Sequence, residues 1–133
     1  MKEEFKKELA PILKFFKAQN WKPFPFQIEL WKNYLKGESG LLHVPTGSGK
    51  TYAAVMGIFA KIMASPKKPG IKALYITPLR ALARDLEIAL KLPIEQENWP
   101  IKIEARTGDT SYSVKKKQIK KIPFVRPTTM LFL

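Results

Sequence analysis

No cysteine occurs in the 133 residues, which excludes a disulfide framework and any cysteine-ligated metal. Histidine is nearly missing too. His43 stands alone, and one imidazole with no second His or Cys does not build a zinc site; at the end of an apolar stretch it reads as a packing residue. No apolar run approaches the length a bilayer demands, about 20 residues. Met1 leads into "KEEFKKEL", not into a basic stub followed by an apolar stretch and a small-residue cleavage site. These absences predict a soluble, cytoplasmic protein with no membrane role. Negative charge is scarce: 11 Asp+Glu stand against 24 Lys+Arg, for a formal charge of +13. None of the acids lies beyond Asp109, whereas Lys115, Lys116, Lys117, Lys120, Lys121 and Arg126 all do. A surface of that sign attracts polyanions through counterion release, so nucleic acid is the natural partner; a lysine-rich solvated surface is the plainer alternative.

The chain is 45% hydrophobic and 26% charged, enough to bury a single core. Phe5, Leu9, Ile12 and Phe16 fall on one stripe and predict a helix over about residues 2–19, with Pro11 kinking or restarting it. After the Pro- and aromatic-rich "NWKPFPF", a second helix is expected from Phe26 to Lys36, ended by Gly37. "LLHV" reads as a short buried strand, and residues from Lys50 to about Ala64 as an apolar helix. The same order then repeats. "IKALYIT" reads as a strand ended by Pro78. "LRALARDLEIALKL" reads as a helix with Leu79, Leu82, Leu86 and Leu90 inward. "IKIEA" is a third strand, "SYSVKKKQIKK" a basic helix, and "FVRPTTMLFL" a fourth strand or helix start that Pro127 weakens. Strands alternating with helices predict an α/β fold, a parallel sheet with helices on both faces.

"VPTGSGKT", from Val44 to Thr51, nearly fits the phosphate-loop pattern G-x-x-x-x-G-K-[ST], with Val44 in the first glycine's place. Gly47 and Gly49 leave backbone N–H groups open to phosphate oxygens. Lys50 reaches the β- and γ-phosphates, and Thr51 offers its hydroxyl to Mg²⁺. The following helix points its positive end at the anion. A strand before the loop and a long helix after it make a chance Gly-Ser turn the weaker reading. Upstream, "WKPFPFQIELW" sets Gln27 among aromatics; downstream, "YITPLRALARD" sets Thr77, Pro78 and Arg80 at a strand end, the ligand-facing edge of such a sheet.

With "PFPFQ", "GLLHVPTGSGKT", "ITPLRALARD" and "RTGDTS" in that order, the sequence resembles the first RecA-like lobe of a superfamily 2 DEXH-box helicase. It is most similar to the large-helicase-related branch, in particular the DNA-ligase-associated helicases, from about Trp21 to Thr129. The resemblance implies a P-loop NTPase fold, with 1–20 an N-terminal helix and 21–133 part of an ATP-binding lobe. It implies ATP and Mg²⁺ as cofactors, with Lys50 and Thr51 the catalytic pair. Gln27 would read the adenine edge, and Phe24 or Trp21 would stack on the ring, unless both are packing residues. Thr46, Gly47, Ser48, Gly49, Lys50 and Thr51 would hold the phosphates, and Thr51 the Mg²⁺. Thr77, Pro78 and Arg80, then Gly108, Asp109 and Thr110, would contact a nucleic-acid backbone. Arg106 is either phosphate-directed or a solvated strand-end charge. The implied partner is single-stranded DNA, with DNA-repair proteins by analogy.

The sequence departs from that family at its end. Thr128 and Thr129 are followed by Met130 and Leu131, where the family carries Pro and Glu, and no Asp-Glu pair follows. The lobe is therefore read as incomplete. ATP hydrolysis needs carboxylates that hold Mg²⁺ and orient water, so the expectation is weak ATP binding without turnover. An uncovered sheet edge predicts a marginal, aggregation-prone fold. Two functions stay open: the opening part of an ATP-dependent DNA helicase or translocase, or a basic nucleic-acid-binding remnant with no motor cycle. A nucleotide kinase would need acceptor and lid residues that are not found.

Overall fold

Three of the helices end the same way, through hydrogen bonds that reach back past the last turn. The computed structural model describes residues 4–45, 47, 49–65, 70–76, 80–105 and 111–121, without the side chains of 80–83 and 118–121. Helix α1 (Lys6–Ala18) closes with Asn20 at φ 58; Trp21 N–H donates to Phe16 O at 2.9 Å and Asn20 N–H to Lys17 O at 3.0 Å. Helix α2 (Pro25–Leu35) closes with Gly37 at φ +87, where Glu38 N–H donates to Asn33 O at 3.0 Å and Gly37 N–H to Tyr34 O at 2.9 Å. Helix α4 (Arg80–Gln96) closes with Asn98 at φ 52 and Trp99 N–H on Ile94 O at 2.9 Å. Each places Gly or Asn in the left-handed conformation that satisfies otherwise orphaned carbonyls. Gly37→Ala therefore puts a Cβ into that conformation and is expected to cost about 1–2 kcal/mol, read as a lowered urea midpoint. Nothing lies within 4 Å of such a Cβ, so the whole loss would be backbone strain.

The chain forms two compact units, 1–64 and 65–133. In the first, α1 and α2 both pack on α3 (Lys50–Ala64). Leu9, Ile12 and Phe15 of α1 and Trp31 of α2 are fully buried with Met56 and Phe59 of α3, Phe16 nearly so. Each such side chain contributes roughly 1.5–3 kcal/mol of burial. Gly57 permits the close approach of α2, since a Cβ there would lie 3.2 Å from Trp31 Cα. Pro11 sits inside α1 and does not end it. In the second unit, α4 and α5 (Tyr112–Lys121) accompany a core of Leu90, Pro93, Ile94, Trp99, Ile101 and Ile103. Helix α4 continues through Pro93 to Gln96, past its expected end. No helix among the described residues is long and apolar enough to cross a membrane.

The expected sheet is where the structure differs. Among the described residues no segment is a hydrogen-bonded strand: 41–45, 71–76 and 101–105 are irregular. The supposedly buried "LLHV" has Leu41 92% exposed, and His43 is exposed, not packed. Ile71, Leu74 and Ile76 are exposed as well, whereas Ile101 and Ile103 alternate inward as a strand face would. Strands exist by pairing, and parallel pairing is weak per residue. Among the described residues of 1–64, 41–44 is the one stretch with a strand's composition, and none of them pairs with it. The proposed fourth stretch, 124–133, lies outside the described residues.

Candidate nucleotide-binding site

The site is assembled where α3 begins. Gly47 and Gly49 both take φ +79, a conformation that costs an L-residue dearly, and the helix starts at Lys50 directly after them. Gly49 O accepts the Ala53 N–H at 3.0 Å, so Gly49 caps α3. The N–H groups of Lys50 and Thr51, in the first turn, have no intrahelical acceptor to reach. No acidic residue occupies the first turn of α3. Its end thus presents donors and roughly half a positive charge, with no carboxylate in its own first turn to answer it. Lys50 is exposed and Thr51 half-buried at this end, which suits a polyphosphate. For Mg²⁺ the donor set is thin: Thr51 supplies one hydroxyl, and among the described residues no group of three His, Asp or Glu could hold a metal.

Gln27 joins α2 to this loop. It is 2% exposed; its Nε2 donates to Gly49 O at 3.1 Å, and its Oε1 accepts the Phe24 N–H at 2.9 Å. The second bond is half of a capping box at the start of α2; the first ties that helix end to the phosphate loop. An amide has two donor hydrogens and two acceptor lone pairs, so one of each is left over. Phe24 is 51% exposed and stacks on Phe26, centroids 5.8 Å apart at 11°. Trp21 is 45% exposed, yet its ring packs edge-on to Phe15 and Phe16 at about 6 Å and tilts against Tyr52 at 5.8 Å. Of the two aromatics, Trp21 belongs to a packed cluster and Phe24 sits beside the loop. A hollow of about 810 Å³ opens beside Phe24, lined also by Lys22, Ile28, Lys32 and Lys36; none of the described residues of the phosphate loop lines it.

One contributor was not singled out from sequence. Trp31 Nε1–H is shared between Tyr52 O at 3.0 Å and Ala53 O at 3.1 Å, fastening α2 to the first turn of α3. The available signal was its spacing, one helical turn after Gln27 on the same face. Burial pushes the Tyr52 phenol above its ordinary pKa, so it stays neutral in the first turn of α3.

The structure thus brings Phe24, Gln27, Gly47, Gly49, Lys50 and Thr51 together. Thr46, Ser48, Thr77, Pro78, Arg106, Gly108, Asp109 and Thr110 lie outside the described residues. Arg80 is described only as the first backbone position of α4.

Comparison with known proteins identifies relatives of this chain. A Mycolicibacterium smegmatis protein named Lhr helicase/probable uracil glycosylase is 34% identical over 119 residues, covering 80% of this chain and 8% of its own length. The ATP-dependent helicase Lhr-Core of Methanocaldococcus jannaschii is 36% identical over 134 residues, covering 90% of this chain and 16% of its own length. The chain therefore spans a small fraction of these relatives. The structure of Mycobacterium smegmatis helicase Lhr bound to ssDNA and AMP-PNP matches with a TM-score of 0.67 at 27% identity, over 94% of this chain and 17% of that one. The helicase MrfA, bound to DNA and AMPPNP, matches with a TM-score of 0.68 at 25% identity, over 99% of this chain and 17% of that one. Both likenesses are to helicases. Residues 24–133 match the DEAD/DEAH box helicase family, and with the glycine loop, the capping Gly49 and the Gln27 tie in place, this chain is a member of that family.

Proposed function

We propose that this chain forms the opening part of the first motor lobe of an ATP-dependent helicase, gripping ATP at the start of α3 and single-stranded nucleic acid elsewhere on its basic surface. One observation carries the reading: the Gln27 amide links the Phe24 cap to Gly49, so the purine-side and phosphate-side elements are fixed to each other. The N–H groups of the α3 end and the Lys50 ammonium take the phosphates. The remaining donor and acceptor of Gln27 meet the adenine edge, and Phe24 flanks the ring. Mg²⁺, held in part by the Thr51 hydroxyl, would neutralise charge on the β- and γ-phosphates. Nucleic-acid contact falls to Thr77, Pro78, Arg80, Arg106, Gly108, Asp109 and Thr110. The helicase structures solved with DNA and a nucleotide analogue support both halves of the proposal.

Fluorescent adenine and guanine nucleotides titrated against the chain provide the test. Lys50→Ala removes a charged partner of the phosphates, worth about 1.5–3 kcal/mol, and should weaken both nucleotides roughly 10- to 150-fold. Gln27→Ala should weaken the adenine nucleotide more than the guanine one. An equal loss for the two would restrict Gln27 to holding the loop. Indifference of the parent chain to the base would defeat the proposal.

A further inference from the structure

Helix α5 is charged against its own stability. It contains no acidic residue, while Lys115, Lys116, Lys117, Lys120 and Lys121 crowd its ten positions. Five like charges in ten residues, with no acid among them, supply none of the opposite-charge pairs that support a helix. Lys115, Lys116 and Lys117 also lie near the N-terminal end, whose positive dipole favours anions. That end is capped by a neutral group: Ser111 Oγ accepts the Val114 N–H at 3.4 Å, and Ser111 O the Lys115 N–H at 3.0 Å.

The nearby carboxylates are paired elsewhere, although Glu104 Oε2 is buried with no hydrogen-bond partner among the described residues. Glu87 pairs with Lys91 at 2.6 Å and Glu104 with Lys102 at 2.5 Å. Lys117 shares a hollow of about 300 Å³ with Glu87, Lys91 and Glu104, yet among the described residues no ion pair joins it, Lys115 or Lys116 to a carboxylate. Lys116 is exposed. One turn earlier on the same face stands Tyr112, 80% exposed. A large aromatic left in water beside unanswered cations has a counterpart in strands whose bases are unstacked: phosphates for the ammoniums, a base face for the ring. A duplex offers the phosphates but keeps its bases stacked.

We infer that the Tyr112–Lys116 face of α5 binds single-stranded nucleic acid, with Lys115, Lys116 and Lys117 on backbone phosphates and Tyr112 stacked on a base. This rests on the proposed function, in which the chain binds nucleic acid, and adds a surface to it. The test is fluorescence anisotropy of a labelled oligothymidine with the full chain, from about 50 to 200 mM salt. Changing Lys115, Lys116 and Lys117 together to Gln should flatten the log–log salt slope by about 0.7 for each phosphate no longer neutralised, near 2 in all. The same three changed to Arg should keep it. Tyr112→Leu should weaken binding about 5- to 150-fold with the slope unchanged. Far-UV circular dichroism checks that α5 persists in each variant. An unchanged slope in the Gln variant, full affinity in Tyr112→Leu, or equal binding of duplex would overturn the inference and leave the helicase reading standing. No binding by the parent chain would overturn both.

Discussion

Trp31→Ala is expected to unfold the first unit. Trp31 is fully buried, and truncating a buried aromatic to Ala typically costs about 3–5 kcal/mol through lost transfer energy and the cavity left behind. Two neighbours make the upper part of that range the better expectation. Phe16 loses the edge-on partner whose centroid lies 5.4 Å away. The first turn of α3 loses the indole N–H bridging Tyr52 O and Ala53 O. A domain's whole stability is about 5–15 kcal/mol, so a unit of this size would keep little. Trp31→Phe separates the contributions. It retains most of the apolar volume and deletes only the N–H, whose acceptors still have helix donors available, so about 1–2 kcal/mol should be lost. Urea unfolding followed by near-ultraviolet circular dichroism reads both variants. Equal, small losses would mean that the core of this unit does not depend on the packing of α2 on α3.

What could be read from sequence was whatever depends on neighbours along the chain. The 3.6-residue stripe through Leu9, Ile12 and Phe16 located α1 and its buried face. Gly37 marked the end of α2, because a left-handed residue there closes the helix. Gly49 followed by Lys50 marked the start of α3. The helix read over "LRALARDLEIALKL" stopped short of Gln96, since a proline within a helix forfeits one hydrogen bond but the Pro93 ring can still be buried, as it is here. The failures involve partners far along the chain. "LLHV" has a strand's composition, but composition supplies no partner, and Leu41 stands in solvent. For Gln27 the residue type pointed to the site, while its bond to Gly49, 22 positions away, follows from how α2 packs on α3. Trp31 was invisible for the same reason: an indole N–H reveals its acceptor only once two helices are placed side by side.

The two glycines of the loop should respond very differently to the same substitution. Gly47 and Gly49 share φ +79, so an alanine at either carries the left-handed penalty of about 1–2 kcal/mol. At Gly47 nothing lies within 4 Å of the added Cβ, whereas at Gly49 it would lie 2.6 Å from Gln27 Nε2. Gln27 is buried and held at both ends of its amide, so it yields only by breaking a bond. Gly49→Ala should therefore cost about 1–3 kcal/mol beyond Gly47→Ala, the range for a buried amide left unsatisfied; where that loss falls on the loop that holds ATP, it corresponds to about 5- to 150-fold in affinity, since each 1.4 kcal/mol is a factor of ten. Combining it with Gln27→Ala isolates the interaction. With the amide gone the clash disappears, and Gly49→Ala should then cost no more than Gly47→Ala does. This coupling would appear as non-additivity in urea midpoints, as expected for residues that touch. Additive losses would mean that Gln27 and Gly49 are not joined in solution, and the tie between the purine side and the phosphate side would fall with them.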